Sequence, residues 1–195
     1  ELFEGYHPEY FAVGRTGGPH ERQFCYTNQA FIKQVAKDAC DYFDGQSLKG
    51  EQIALGDYFA VVPLDNANWC QCEECSRQLA IDKDNIRGEH FNCGTATHYL
   101  WTFVNNVAKE VKKTHPGKKI AALAYHVYAY LPEDIELEDN ISVAPCLHPR
   151  NYWAPKMKEN EADFYKDWIE ESRKSHRPVY LWNYLCFPTE RGLVQ

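Results

Sequence analysis

The sequence lacks the features of several large protein classes. It contains no run of apolar residues long enough to span a bilayer and no stretch with the pattern of a secretory signal peptide. Its 21 Lys and Arg are outnumbered by 28 Asp and Glu, whereas a nucleic-acid interface needs clustered basic residues. It has no G-x-S-x-G elbow, no glycine-rich phosphate loop and no H-E-x-x-H motif. These absences argue against a membrane span, a nucleic-acid partner and the enzyme classes that those motifs mark.

The composition that remains is that of a folded domain. The chain has 195 residues, of which 44% are hydrophobic and 25% charged, which is enough for one well-buried domain. No low-complexity segment or flexible linker divides it, so we predict a single domain over residues 1–195. Aromatic residues reach 14%, and such side chains serve either a core or a surface that stacks on ring-shaped ligands. The first residue is Glu1 rather than Met, which agrees with a mature product or an excised fragment.

Three segments have the apolar spacing of amphipathic helices. The first follows Asn28, a predicted N-cap, and ends before Gly45. The second begins at about Thr97 and stops at the HPG sequence of residues 115–117, and the third begins at Asn160. The apolar stripes of these helices are expected in the core.

Short apolar runs of the strand type alternate with the helices. They are a weak run, QFCY (23–26), and four stronger ones, YFAVVPL (58–64), KIAALAY (119–125), ISVAPCL (141–147) and PVYLWNY (178–184). Runs that are apolar on both faces are typical of parallel strands covered by helices. The sequence therefore predicts an α/β fold.

Polar and aromatic residues follow the four stronger runs or occupy their last positions. They are Asp65, Asn66, Trp69, Tyr125, His126, Tyr128, His148, Tyr152, Trp153, Trp182, Asn183 and Tyr184. In parallel α/β proteins ligands bind at the carboxyl ends of the strands. We therefore expect a polar, aromatic-lined cleft at this edge of the sheet.

Six stretches of the chain carry a resemblance to a known family. They read YHPEYFAV, QFCYTNQAF, VVPLDNANWCQCEEC, FVNNVAKEV, IAALAYHVY and RPVYLWNYL, and the tryptophan–cysteine motif of the third is the most specific. The chain resembles the bacterial domain-of-unknown-function family 4838, whose members look like glycoside hydrolases distantly similar to α-glucuronidases and β-hexosaminidases. The resemblance implies a (β/α)8 TIM-barrel-like fold, a carbohydrate partner and an extracellular or periplasmic location.

The chain is short for a TIM barrel, which typically takes about 250 residues. Its apolar runs supply four good strands and one weak one, so several strands of the barrel are missing. We therefore expect a partial barrel of about four to five βα units, with the other units on the rest of a longer polypeptide.

Asp65 is the candidate catalytic residue. Its position after a strand directs the side chain toward the cleft, where a carboxylic acid can protonate a leaving glycosidic oxygen. The resemblance to hexosaminidase-like proteins implies an acidic pair after the fourth strand, but Asn66 takes the second place here. The alternative is an aspartate that caps its own turn.

A second carboxylate, which glycoside hydrolysis usually needs, does not directly follow the other strands. Glu190 is a weak candidate, a few residues beyond the last run. Either the partner lies in missing strands, or the substrate supplies its own nucleophile, or the domain binds sugar without cutting it. The sequence thus leaves three functions open: a glycoside hydrolase-like domain acting on a polysaccharide or glycan, a non-catalytic carbohydrate-binding barrel, and a zinc-stapled interaction module, which has little beyond the cysteines in its favour.

Residues of the same strand ends are candidates for sugar contact. They are Asn66, Trp69, Tyr125, His126, His148, Trp182, Asn183 and Tyr184, with Trp153 as a further aromatic. Pyranose rings stack their apolar C–H faces on aromatic rings, and Asn and His exchange hydrogen bonds with hydroxyls. Any one of the aromatic rings can instead pack in the core, and either histidine can be structural.

Three of the eight cysteines, Cys70, Cys72 and Cys75, form a C-x-C-x2-C pattern in a stretch without sustained periodicity, from residue 66 to about 94. Long loops of this kind are usually functional or tied down. With Cys93 as the fourth ligand, these thiols can form a tetrahedral structural zinc site.

Other arrangements of the thiols stay open. His90 is the reserve fourth ligand of a zinc site, and a disulfide or a set of unrelated buried thiols are the alternatives to metal. The remaining cysteines, Cys25, Cys40, Cys146 and Cys186, lie in or beside apolar segments and are predicted as core thiols.

Overall fold

The computed structural model describes residues 7–14, 23–46, 54–86 and 92–185. The strands in these ranges are β1 (Ala54–Leu55), β2 (Tyr58–Ala60), β3 (Lys119–Ala124), β4 (Ile141–Leu147) and β5 (Trp182–Asn183). The α-helices are α1 (Gln29–Phe43), α2 (Glu73–Leu79), α3 (Thr97–Lys112) and α4 (Pro155–Ser175). The fold is mixed α/β, which confirms the predicted class.

The strands form one curled sheet in the order β1–β2–β3–β4–β5, with the shape of half a barrel. Strands β2 to β5 are parallel, and β1 pairs with β2 in an antiparallel hairpin. The pair β3–β4 has the longest register, from Ile120 opposite Ile141 to Ala124 opposite Pro145. Because β2 to β5 run in the same direction, their carboxyl ends lie along one edge of the sheet.

The strands agree with the predicted runs at the centre of the sheet and are shorter toward its edges. Strands β3 and β4 cover the predicted runs almost completely. The run 58–64 is a strand only to Ala60, and the last parallel ladder bond is donated by Val61, two residues before Pro63, which has no N–H to continue the ladder. The run 178–184 makes a bridge at Val179 and then the two-residue β5. The weak run QFCY makes only an isolated bridge between Phe24 and Phe11.

The helices begin where the local chemistry allows it. Asn28 caps α1 as predicted, because its side chain accepts hydrogen bonds from the N–H groups of Ala30 and Phe31 at 2.8 and 3.1 Å. Helix α4 begins at Pro155, earlier than the predicted Asn160, since proline at the first turn needs no amide donor. None of the described helices is long and apolar enough to cross a membrane.

The core lies between the sheet and the helices, and two tryptophans join its halves. Trp101 of α3 and Trp168 of α4 are both buried, with ring centroids 4.8 Å apart. Their indole N–H groups donate to the carbonyls of Tyr128 at 3.1 Å and Ala129 at 2.8 Å. Both helices are thereby bonded to the chain that leaves β3, which is the segment that carries predicted site residues.

Replacement of Trp168 by alanine should destabilise the fold strongly, because it removes a fully buried ring and leaves the carbonyl of Ala129 without this donor. We expect a loss of about 3–5 kcal/mol in the free energy of unfolding, measured by urea denaturation. The matched control is Trp153→Ala, since Trp153 is 83% exposed and its loss should change stability by less than about 0.5 kcal/mol. Equal effects of the two substitutions would contradict this description of the core.

Candidate functional site

Four side chains at the carboxyl ends of the parallel strands form a group that we call the strand-end cluster: Asp65, Tyr125, His148 and Tyr184. Tyr125 follows β3, His148 follows β4 and Tyr184 follows β5. The ring centroids of Tyr125 and Tyr184 are 6.4 Å apart, and Tyr184 stacks on His148 at 4.6 Å with an interplanar angle of 5°. Three strands thus contribute one group of contacting rings, in which His148 is buried and Tyr125 and Tyr184 are partly exposed.

Asp65 lies in an exposed turn beyond β2, and its charge acts on the rings of the cluster. Burial raises the pKa of Tyr125 above its ordinary value, and the negative charge of Asp65 adds to the rise. Burial also raises the pKa of Tyr184, with a smaller contribution from the same carboxylate. Burial lowers the pKa of His126, an effect that Asp65 opposes. Asp65 is therefore close to the ends of β3 and β5 and is open to solvent.

The turn that carries Asp65 is held by Gln23, a fully buried glutamine. Its Nε2 donates to the backbone carbonyls of Leu64 at 2.5 Å and Asn66 at 2.7 Å, on either side of Asp65. Its Oε1 accepts from the N–H of Leu64 at 3.2 Å and from the hydroxyl of Tyr26 at 2.7 Å. The turn is therefore fixed by a side chain from a distant part of the sequence.

A buried hydrogen-bond network lies behind the cluster. Glu161 of α4 is fully buried, and its Oε2 accepts from the backbone N–H of His148 at 2.7 Å. Its Oε1 lies 2.7 Å from His148 Nδ1 and accepts from Asn92 Nδ2 at 3.1 Å. Asn92 in turn accepts the backbone N–H of His126 on Oδ1 at 2.8 Å. One carboxylate and one amide thus connect the ends of β3 and β4 to α4.

Neither Glu161 nor Asn92 was predicted as a site residue. The available signal for Glu161 is its spacing, because it lies on the same helical stripe as the buried residues Phe164 and Trp168. A carboxylate on an apolar stripe must find partners when it is buried. Asn92 has no comparable signal, since it lies in a stretch without periodicity.

His126 has a left-handed backbone conformation, with φ of 50°. Such values are uncommon outside glycine and are often found at functional sites. The residue is bonded on both sides of its peptide unit, by Asn92 at its N–H and by the N–H of Cys93 at its carbonyl, at 2.8 Å in each case. These bonds hold the half-buried imidazole at the end of β3.

Two other predicted contact residues, Trp69 and Asn66, make structural contacts. Trp69 is 9% exposed and packs in the core against Tyr26 and Tyr99, with centroids 6.3 and 6.0 Å apart. Asn66 accepts the N–H of Asn68 on its side-chain oxygen at 2.9 Å, which is the bond of an Asx turn. The ring of Trp69 thus belongs to the core, and the side-chain oxygen of Asn66 stabilises its own turn.

Trp182 and Asn183 are exposed on β5. The ring of Trp182 is 51% exposed, and its centroid is 6.4 Å from that of Tyr184. Strand β5 thus extends the aromatic surface of the strand-end cluster toward solvent.

Four cysteines meet beside the Asp65 turn, and we call them the thiol cluster: Cys25, Cys70, Cys72 and Cys75. Their sulfur atoms all lie within 4.8 Å of one another, so the cluster can hold a metal ion. All seven described cysteines are free thiols, and the Sγ atom of Cys25 is 3.8 Å from that of Cys72 and 3.7 Å from that of Cys75. These separations are far longer than a disulfide bond of about 2.05 Å.

The thiols of the cluster are chemically unequal. The hydrogen bond with Cys75 lowers the pKa of Cys25, and the same bond, together with burial, raises the pKa of Cys75 to about 12. Cys75 Sγ also accepts a hydrogen bond from the hydroxyl of Tyr99 at 3.1 Å. Cys25 therefore becomes a thiolate, the form that binds metals, more readily than Cys75.

The fourth thiol beside Cys70, Cys72 and Cys75 is Cys25 rather than the predicted Cys93, and Cys25, predicted as a core thiol, is partly buried and packs against the core. Cys25 precedes α1 and meets the other three thiols, whereas Cys93 bonds through its backbone to the residues after β3 and lies outside the cluster. Cys72 Sγ also caps α2, a helix that the sequence did not predict, by accepting the N–H of Cys75 at 3.5 Å. The thiol cluster therefore connects the first part of the predicted loop, from Cys70 to Cys75, to the segment before α1. His90, Cys186 and Glu190 lie outside the described residues.

Comparison with known proteins gives one match. No curated protein and no solved structure matches the chain. A family model described as Domain of unknown function (DUF4838) matches residues 2–189, which is nearly the whole sequence. The chain belongs to this family.

Proposed function

We propose that this is a carbohydrate-active domain of the glycoside hydrolase type, with the strand-end cluster as its ligand-binding cleft and Asp65 as its general acid. The observation that carries the proposal is the meeting of Tyr125, His148 and Tyr184 beside an exposed carboxylate, at the carboxyl ends of parallel strands. Aromatic rings with adjacent hydrogen-bonding groups suit a pyranose, which has apolar faces and a hydroxylated edge.

The exposed residues of β5 support a ligand larger than one sugar. Trp182 and Asn183 continue the surface beyond Tyr184, and Trp153 after β4 is 83% exposed. Large exposed aromatic rings beside a polar group often mark a recognition surface. We therefore propose a polysaccharide or glycan chain as the ligand.

The finer fold proposal is a partial (β/α)8 barrel that the rest of a longer polypeptide completes, in an extracellular or periplasmic protein. It is supported by the curled sheet with its four parallel strands and by the position of β5 at the end of the sheet in the described part of the chain. An edge strand with free ladder positions is the place where another strand can add.

A non-catalytic carbohydrate-binding domain is the alternative function. It is favoured by the scarcity of carboxylates at the cluster, since among the described strand ends only Asp65 supplies one. Glu161 reaches the end of β4, but its oxygens accept hydrogen bonds from Asn92 and His148 in a fully buried position. It therefore lacks the access to a sugar that a nucleophile needs.

Asp65→Asn separates the two functions. The amide keeps the shape of the side chain but cannot deliver a proton, so hydrolysis of natural glycosidic bonds should fall by about 10²–10⁴-fold. Binding on a glycan array should persist, and an aryl glycoside with a good leaving group should be hydrolysed with a much smaller loss. Asp163→Asn, on the exposed face of α4, is the control and should change none of these. Equal loss on both substrates, or loss of binding, would contradict the acid role.

We further propose that the thiol cluster binds a structural zinc ion. A tetrahedral site with Zn–S bonds of about 2.3 Å has S···S edges of about 3.8 Å. The separations of Cys25 from Cys72 and Cys75, 3.8 and 3.7 Å, agree with such edges. Four protein ligands leave no position for a catalytic water, so the ion would join the segment before α1 to the loop that carries Asp65.

The zinc proposal is tested by elemental analysis of purified protein and of two variants. Wild type and Cys93→Ser should each contain about one zinc per chain, and Cys25→Ser should contain far less. Because metal binding is coupled to folding, Cys25→Ser should also unfold at a lower temperature than Cys93→Ser. Metal-free wild-type protein would refute the proposal. Zinc lost from Cys93→Ser but kept by Cys25→Ser would instead identify a site closed by Cys93.

A further inference from the structure

Tyr99 and Thr27 place their hydroxyl groups beside one sulfur atom of the thiol cluster. The hydroxyl of Tyr99 donates to Cys75 Sγ at 3.1 Å, and Oγ1 of Thr27 lies 3.1 Å from the same sulfur. Cys75 is fully buried and Tyr99 is 1% exposed. A zinc ion in the thiol cluster uses the four sulfur atoms and gives these two hydroxyls no role by itself.

Two hydroxyls around one sulfur suit a thiolate better than a thiol. A neutral cysteine sulfur is a weak acceptor, whereas hydrogen bonds to an ionised group are roughly twice as strong as bonds between neutral groups. Because metals bind the thiolate, zinc binding removes the proton of Cys75, and its sulfur can then only accept hydrogen bonds. In that state both hydroxyls act as donors to the sulfur.

The two hydroxyls come from different parts of the fold. Thr27 lies between Cys25 and α1, and its Oγ1 is also 3.6 Å from Cys25 Sγ. Tyr99 belongs to α3, and its ring packs edge-on against Tyr26 and Trp69, with centroids 5.8 and 6.0 Å apart. The core thus fixes the position of the Tyr99 hydroxyl, so Cys75 does not depend on a mobile side chain for this bond.

Other sulfur atoms of the thiol cluster receive backbone donors. Cys70 Sγ accepts the N–H of Val13 at 3.4 Å, and Cys72 Sγ accepts the N–H of Cys75 at 3.5 Å. Substitution of a side chain leaves such backbone N–H groups in place. The two hydroxyls beside Cys75, in contrast, can each be removed by one conservative substitution.

We propose that Tyr99 and Thr27 are positioning residues of the zinc site, which act through Cys75 by donating hydrogen bonds to its metal-bound thiolate. Their role rests on the zinc ion of the proposed function. Groups that bond to a metal ligand orient the ligand atom and tune the metal, and their loss typically lowers metal affinity by about 10–100-fold.

The test compares the zinc affinities of whole-chain variants by competition with a chromophoric zinc chelator. Tyr99→Phe removes only the hydroxyl and should weaken zinc binding by about 10–100-fold. Thr27→Val keeps the branched shape and should also weaken it, whereas Thr27→Ser keeps a hydroxyl and should retain the wild-type affinity. Wild-type affinity in Tyr99→Phe or in Thr27→Val would overturn the role of that residue. Equal losses in Thr27→Val and Thr27→Ser would assign the effect of Thr27 to packing instead.

The matched control for Tyr99 is Tyr130→Phe. Tyr130 is equally buried, and its hydroxyl donates to Asn160 rather than to a thiol. Tyr130→Phe therefore also loses the hydrogen bond of a buried ring, but it should bind zinc as the wild type does. An equal loss of zinc affinity in Tyr99→Phe and Tyr130→Phe would reflect general destabilisation and would contradict a specific role for Tyr99.

Cobalt(II) in place of zinc provides a readout that does not depend on stability. A hydrogen bond to a thiolate holds the sulfur electrons more tightly, so the sulfur-to-cobalt charge-transfer absorption of Tyr99→Phe should move to longer wavelength. That of Tyr130→Phe should not move, and an unshifted absorption in Tyr99→Phe would overturn the hydrogen bond to the metal-bound thiolate. A wild-type chain that binds neither ion would refute the zinc site and both positioning roles, whereas zinc binding that is equal in wild type, Tyr99→Phe and Thr27→Val would refute the positioning roles alone.

Discussion

The parallel pairing of β3 with β4 is the constraint on which the rest of the structure depends. It aligns the two strands from Ile120 and Ile141 onward, so that the chain leaves both of them at the same edge of the sheet. The chain that leaves β3 then accepts hydrogen bonds from Trp101 and Trp168, which attach α3 and α4 to it. Core packing and the strand-end cluster therefore share one short segment, and a disturbance of either reaches the other.

The sequence predicts the parts of this structure that depend on neighbouring residues. Asn28 caps a helix through the N–H groups two and three positions along, and the alternation of apolar runs with helices is sufficient to predict parallel strands. Because parallel strand ends must share an edge, the meeting of Tyr125 with Tyr184 follows from the same pattern. These features need no information about which distant segments meet.

The features that the sequence does not predict depend on contacts between residues that are far apart along the chain. Cys25 and Cys75 are 50 positions apart, and Asn92 and Glu161 are 69 apart. Cys93 is closer along the chain to the C-x-C-x2-C pattern than Cys25 is. In the folded chain, however, it is the sulfur of Cys25 that lies beside the other three. Trp69 shows the same limit, since it adjoins Cys70 in sequence and yet its ring serves the core.

The left-handed backbone conformation of His126 lowers the stability of the fold but holds an imidazole at the end of β3. A non-glycine residue in this region costs of the order of 1–3 kcal/mol, and here the cost is borne by hydrogen bonds from Asn92 and Cys93 to its peptide groups. Glycine at this position would relax the backbone, but it would remove the imidazole from the end of β3. The more stable sequence at position 126 is thus the one without the imidazole. Selection of this domain for heat resistance alone would therefore favour glycine at position 126 and remove the half-buried imidazole that follows β3.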